Sequence, residues 1–262
     1  MLDAGANIDG EVRIELTAET PPLGRLLGDG FRHWCAHQRD FWLFAAFAIP
    51  GIAWFRITNI GTIALAVLFT LALDRWLKLA MFADLRQRKK SLAKSKGGRS
   101  LSVPSGGVWG FGLAYGFVMY VAGLTLLIVL APGLSRTGLV AATVISAATM
   151  LLTSLVFSLQ FLAPAASVAG LKWDPRDAIR ESKGVRVPLV SLVILCTLID
   201  LVVPLLFAFS SAALEQPSST FAIAFAVLVA FIDLFALYLL AYGTARLFVA
   251  KTGWQPEPLP TA

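Results

Sequence analysis

Three stretches of this chain, residues 108 to 131, 139 to 171 and 221 to 245, contain one charged side chain between them, Asp233. A helix rises 1.5 Å per residue, so about 20 apolar residues cross the roughly 30 Å hydrocarbon layer of a bilayer. All three stretches reach that length, as do residues 60 to 82 and 187 to 213. The shortest apolar run, 41 to 55, needs Ile57 and Ile60 to complete a crossing. The sequence therefore predicts an all-α, polytopic integral membrane protein with six transmembrane helices, at about 41–58, 60–82, 108–131, 139–164, 187–211 and 221–245. A content of 57% hydrophobic and 15% charged residues, with a mean hydropathy of +0.75, argues against a soluble domain of this length.

Basic residues in short connections stay on the cytoplasmic side. Of the 22 Lys and Arg, 20 fall before the first span, in the second and fourth connections, or after the last span; only Arg56 and Arg136 fall elsewhere. Six spans with both termini in the cytoplasm satisfy this pattern, and an odd number would break it. The expected organisation is a polar tail over 1–23, a membrane domain over 24–252 and a second tail over 253–262. Residues 1–23 include Asp3, Asp9, Glu11, Glu15 and Glu19 and do not read as a cleavable signal. That tail reads as disordered, apart from a possible short strand where Val12, Ile14 and Leu16 alternate with charged residues.

Two amphipathic segments lead directly into spans. In Gly24–Asp40 the apolar stripe is Leu27, Phe31 and Trp34, with Asp29, Arg32, His33 and His37 turned elsewhere, so the segment should lie along the membrane surface. In Asp174–Arg186, Asp174 suits an N-cap, Pro175 the first turn, Asp177 the positive helix end and Gly184 a stop. Cys35 and Cys196 are expected at different depths in a reducing setting, which disfavours a disulfide.

The string Phe161–Gly170 (FLAPAASVAG), followed by Asp174–Gly184 and a further span, resembles a pattern in uncharacterised bacterial inner-membrane proteins. These include the membrane domain attached to some glycerophosphodiester phosphodiesterases. The resemblance covers some 50 residues and implies a bacterial six-helix protein, without a phosphodiesterase catalytic domain.

The principal candidate site is a pair of acids. Asp200 lies 14 residues after Arg186 and Asp233 lies 13 before Arg246, which places both at ~20 Å from the cytoplasmic charge boundary. Each sits in an Ile-Asp-Leu string, on consecutive helices that a short loop makes antiparallel. An ionised carboxylate at mid-bilayer costs about 2.5 to 3.5 kcal/mol on insertion scales, so each acid should face the bundle and find a partner. Low dielectric also favours a proton shared between them. Three readings follow: interhelical glue with Thr197, Tyr238, Ser154 or Gln160 as partners, a proton or cation pathway, or an aspartyl protease dyad. The last lacks the Tyr-Asp and Gly-x-Gly-Asp motifs of that enzyme class.

Other polar residues admit simpler accounts. Arg75 and Lys78 are expected to snorkel to headgroups while Asp74 pairs with a neighbouring base, the alternative being a vestibule for a charged substrate. His33 and His37, with Asp29 a turn earlier, have the spacing of a metal stripe but read as solvated polar residues. Gly112 and Gly116, with Gly110 and Gly123 nearby, suit close helix packing within the bundle, with dimerisation as the other use. Pro164 and Pro204 should kink or end their helices. Arg86, Arg88, Lys89, Lys90, Lys94, Lys96 and Arg99 form a polybasic segment without an acid, best suited to anionic lipid headgroups rather than nucleic acid.

No catalytic motif, metal site or cofactor signature is present. The sequence favours a structural or interaction component of the bacterial cytoplasmic membrane, with a small transporter using Asp200 and Asp233 as the alternative. Reporter tags placed near Arg56, Arg136 and Glu215 should be reachable only from outside the cytosol; labelling of any of them from the cytosolic side would break the six-span topology.

Overall fold

The computed structural model describes residues 20–58, 62–82, 105–116, 118, 136–213 and 219–255. Among them every regular element is helical. The order is α1 (Leu23–Ala36), α2 (Gln38–Thr58), α3 (Thr62–Met81), α4 (residues 106–116), α5 (Arg136–Phe157), a 3-10 turn (Ser158–Phe161), α6 (Leu162–Val168), α7 (Pro175–Glu181), α8 (Arg186–Ala213) and α9 (Ser219–Thr252). The tail to residue 19, with its possible strand, lies outside the described residues. So do the polybasic segment and most of the second half of the predicted third span.

Two stretches, Ala147–Val168 and Ile223–Thr252, are long and apolar enough to cross a membrane. A third candidate is the pair α7 and Arg186–Val202, which meet at 118°. Large apolar side chains stand on outer faces, with Phe47 84% exposed, while Thr70, Asp74, Lys78 and Ser154 are buried. That inversion suits a lipid solvent, in which apolar surface needs no cover and polar groups do.

The centre of the fold is α9. Its residues are apolar on every face, and residues 236 to 245 are buried without interruption, as befits a helix wrapped on all sides. Helices α1, α2, α3, α6 and α8 pack on it, while α5 lies against α8. Phe41 of α2 is fully buried where these elements meet, with its ring against Trp34, Trp76, Tyr238 and Phe231.

Local chemistry explains the breaks. Pro164 has no N–H for the carbonyl four residues back, and its ring crowds that turn; the chain tightens into the 3-10 turn at Ser158–Phe161 just before it. Helix α6 ends at Gly170, whose φ of 90° allows Leu171 N–H to donate to Ala166 O (2.9 Å) and Gly170 N–H to Ser167 O (3.1 Å). Helix α7 opens on the expected N-cap, and Asp177 completes a capping box: Asp177 N–H donates to Asp174 Oδ1 at 2.7 Å, and Asp174 N–H to Asp177 Oδ2 at 3.3 Å. The sharp turn into α8 carries Gly184 at φ 93°. Arg186 holds that turn by donating to Ser182 Oγ and Ile179 O, both at 3.2 Å.

The break between α1 and α2 falls at His37, a few residues before the expected start of the span at 41; Leu27 and Trp34 of the apolar stripe pack against the bundle, whereas Phe31 does not. Leu26 and Gly30 are buried against the bundle, and Phe31 is 51% exposed. Gly30 scores as nothing on an apolar stripe, yet its missing side chain admits Leu239 and Tyr242, each 3.2 Å from where a Cβ would stand.

Helices α3 and α4 touch through small residues. A Cβ on Gly112 would collide with Thr70, and one on Gly116 with Ala66. Because the numbers rise along one helix as they fall along the other, the two are antiparallel, and the glycines serve packing within the chain. Gly112→Val and Gly116→Val should each destabilise the fold by about 1–3 kcal/mol through over-packing. Gly110→Ala, with open space around its Cβ, should leave it unchanged; thermal melts in one detergent compare the three.

Candidate functional site

Both acids of the candidate pair border the same space. Asp200 on α8 and Asp233 on α9 line one cavity of about 230 Å³, where α2, α3, α4, α5, the 3-10 turn, α8 and α9 converge. Apart from the acids the lining is aliphatic, aromatic or weakly polar: Phe69, Tyr115, Phe161, Met150, Cys196 and Thr197 are representative. Among the described residues it includes no Lys, Arg or His. Among the described lining residues the acidic side chains are Asp200 and Asp233.

The expected partners of the acids are mostly engaged elsewhere. Ser154 Oγ lies 3.0 Å from Tyr115 Oη, and Tyr238 Oη lies 2.6 Å from His33 Nδ1. Thr197 does line the cavity, one turn before Asp200, but its hydroxyl donates to Val193 O of its own helix at 2.8 Å. Gln160 sits in the 3-10 turn and is not among the lining residues.

Tyr115 is the functional candidate that the sequence reading missed. Its ring stacks on Phe69 with centroids 5.5 Å apart and meets Phe161 at 5.9 Å, making an aromatic wall for the cavity. The available signal was a phenol inside a charge-free stretch, since a buried Tyr hydroxyl needs a hydrogen-bond partner.

The site near the end of α3 is a sealed ion pair. Lys78 is 3% exposed and donates to Asp74 Oδ2 at 2.6 Å; Asp74, 5% exposed, also accepts the Ser105 N–H on Oδ1 at 3.0 Å. Asp74 pairs with a base as expected, but Lys78 does not snorkel. A partner four residues earlier on the same helix face, supported by a backbone N–H, compensates the buried ammonium. Arg75 behaves differently, half-exposed at 4.0 Å from Asp40 and 5.8 Å from the Phe44 ring centre.

His33 also departs from expectation. It is not solvated: it bonds Tyr238, stacks on His37 at 4.2 Å and meets the Tyr242 ring at 4.8 Å. His37 donates from Nδ1 to His33 O at 2.9 Å, and Asp29 pairs with Arg32 instead of either histidine. No group of three metal-ligating side chains forms among the described residues. Burial, with smaller contributions from His37 and Arg246, lowers the His33 pKa to about 3. Cys35 is exposed and Cys196 buried, and both are free.

No protein-family model, curated protein or solved structure matches this chain. Its class rests on what has been described: an all-helical protein with two or three membrane-length helices and a cavity bordered by two acids.

The histidine contact carries a pH signature. Released His33 takes up a proton near its ordinary value of 6.5, whereas docked His33 resists down to about 3. The released state thus holds more protons between those values, so docking of α1 is strongest above 6.5 and weakens as pH falls through that window. Trp34 fluorescence or amide exchange of α1 should report the loosening between pH 7 and 4, and His33→Gln should flatten the dependence.

Proposed function

We propose that the chain is a six-span protein of the bacterial cytoplasmic membrane, with both ends on the cytoplasmic side, that carries a small cation or protons by way of Asp200 and Asp233. The observation behind this reading is that both acids border one cavity whose other described lining residues are mostly apolar or aromatic. Ionisable side chains within membrane spans commonly mark ion or proton pathways.

The polybasic segment from Arg86 to Arg99 complements this placement by attracting anionic headgroups, at about 1 kcal/mol per base near the surface. The resemblance to six-helix bacterial inner-membrane proteins points to the same compartment. A second reading, a structural or interaction component without flux, draws support from the close small-residue contacts between α3 and α4. Neither reading assigns a catalytic step or a cofactor.

The test is a flux measurement in proteoliposomes under an imposed proton or cation gradient. The parent protein should dissipate the gradient, and Asp200→Asn with Asp233→Asn should abolish flux while retaining the fold, since the amide keeps shape and removes charge. A parent protein that moves neither protons nor cations would overturn transport and leave the structural reading.

A further inference from the structure

Helix α7 and the start of α8 form an elbow whose arms meet at 118°. Four of the seven residues of α7, Arg176, Asp177, Arg180 and Glu181, are ionisable, a density that hydrocarbon does not tolerate. With α8 across the bilayer, α7 therefore runs along its surface at headgroup depth. The elbow is held at both ends: the capping box of Asp174 and Asp177 opens it, and Arg186 clasps Ser182 and Ile179 across the turn. Its inner face is packed, with Ala178 and Ser182 fully buried.

The outer side chains sort by chemistry around the axis. Arg176, Ile179 and Lys183 follow one another at intervals of three and four residues, so they share one exposed face beside the buried one. Asp177 and Glu181 stand on the far side, about 160° to 200° from Ile179 at 3.6 residues per turn. Arg180 is drawn onto those acids, 2.9 Å from Asp177 Oδ1 and 3.4 Å from Glu181 Oε1. Trp173, half-buried against the Phe248 ring, stands in the same segment, as tryptophans do at headgroup level.

Two bases and an aliphatic side chain on one face, with the acids turned away, complement a molecule that is anionic at one end and hydrocarbon at the other. We infer that the elbow of α7 and α8 docks an anionic phospholipid, its phosphate taken by Arg176 and Lys183 and its acyl chain lying beside Ile179. This is a structured site apart from the polybasic segment. It rests on α8 crossing the bilayer and not on Asp200 and Asp233 carrying ions.

For the test, the full chain is placed in nanodiscs of dioleoylphosphatidylcholine with a rising fraction of dioleoylphosphatidylglycerol, and amide exchange is followed over residues 171–186. Exchange there should slow as the anionic lipid rises. Arg176→Gln and Lys183→Gln should each raise the fraction needed for half-protection about fivefold, and together abolish the effect. Arg25→Gln, the same loss of charge on α1, should leave the midpoint in place. Protection indifferent to the anionic lipid, or a midpoint unmoved by both Gln substitutions, overturns the inference. Equal protection by soluble glycerol 1-phosphate or by an oligoglutamate peptide, in discs of phosphatidylcholine alone, assigns the face to a free anion or an acidic protein and overturns the lipid. A chain that alkaline carbonate washes out of vesicles sinks the membrane reading itself, whereas one retained but unprotected sinks this inference alone.

Discussion

A long, largely apolar helix, buried without interruption over residues 236 to 245, organises this protein. Helix α9 runs 34 residues, roughly 50 Å at 1.5 Å per residue, which is longer than the hydrocarbon layer is thick. Close approach along it depends on small side chains: Gly243 leaves room for Leu192, and Ala241 and Ala245 are buried beside it. The two polar groups that matter most on this helix, Asp233 and Tyr238, are five residues apart, about 140° around the axis. One borders the cavity and the other grips α1 through His33. The same rod therefore carries both the candidate site and the attachment of the amphipathic helix.

The protein deals with buried charge in two ways. At Asp74 and Lys78 the charges cancel across 2.6 Å, and a backbone N–H takes up a further lone pair. Such a pair adds little net stability over an apolar substitute, but losing one partner would strand the other. At Asp200 and Asp233 no base borders the shared space among the described residues. The first arrangement settles its electrostatics within one helix and one N–H, whereas the second places two acids from different helices on one cavity.

Much of this was readable from the chain. Hydropathy located the helices because lipid-length apolar runs have few other uses, and the capping box at Asp174 was legible because its partners are three residues apart. Helix rise alone suggested that Asp200 and Asp233 stand at matching depths, and both border one cavity. Contacts between distant residues were not readable. His33 finds Tyr238 at a separation of 205 residues, so no local pattern distinguishes it from a solvated histidine. Lys78 was misplaced because snorkelling is the usual fate of a lysine near a helix end, and its N–H accomplice at Ser105 is 31 residues from Asp74. On α1 the apolar stripe of Leu27, Phe31 and Trp34 was legible, but not that Gly30 supplies a close contact with Leu239 and Tyr242.

The position of α9 has a consequence for biogenesis. The helices that enclose it, α1, α2, α3, α6 and α8, all precede it in the chain, so during synthesis they emerge before the surface against which they finally rest. Until that last segment leaves the ribosome, Asp74 and Lys78 can already pair within α3, while His33 and Phe41 still lack Tyr238. The nascent bundle must therefore wait half-assembled in the bilayer, and a stall or truncation before Ser219 would leave a client for membrane quality control instead of a smaller working protein.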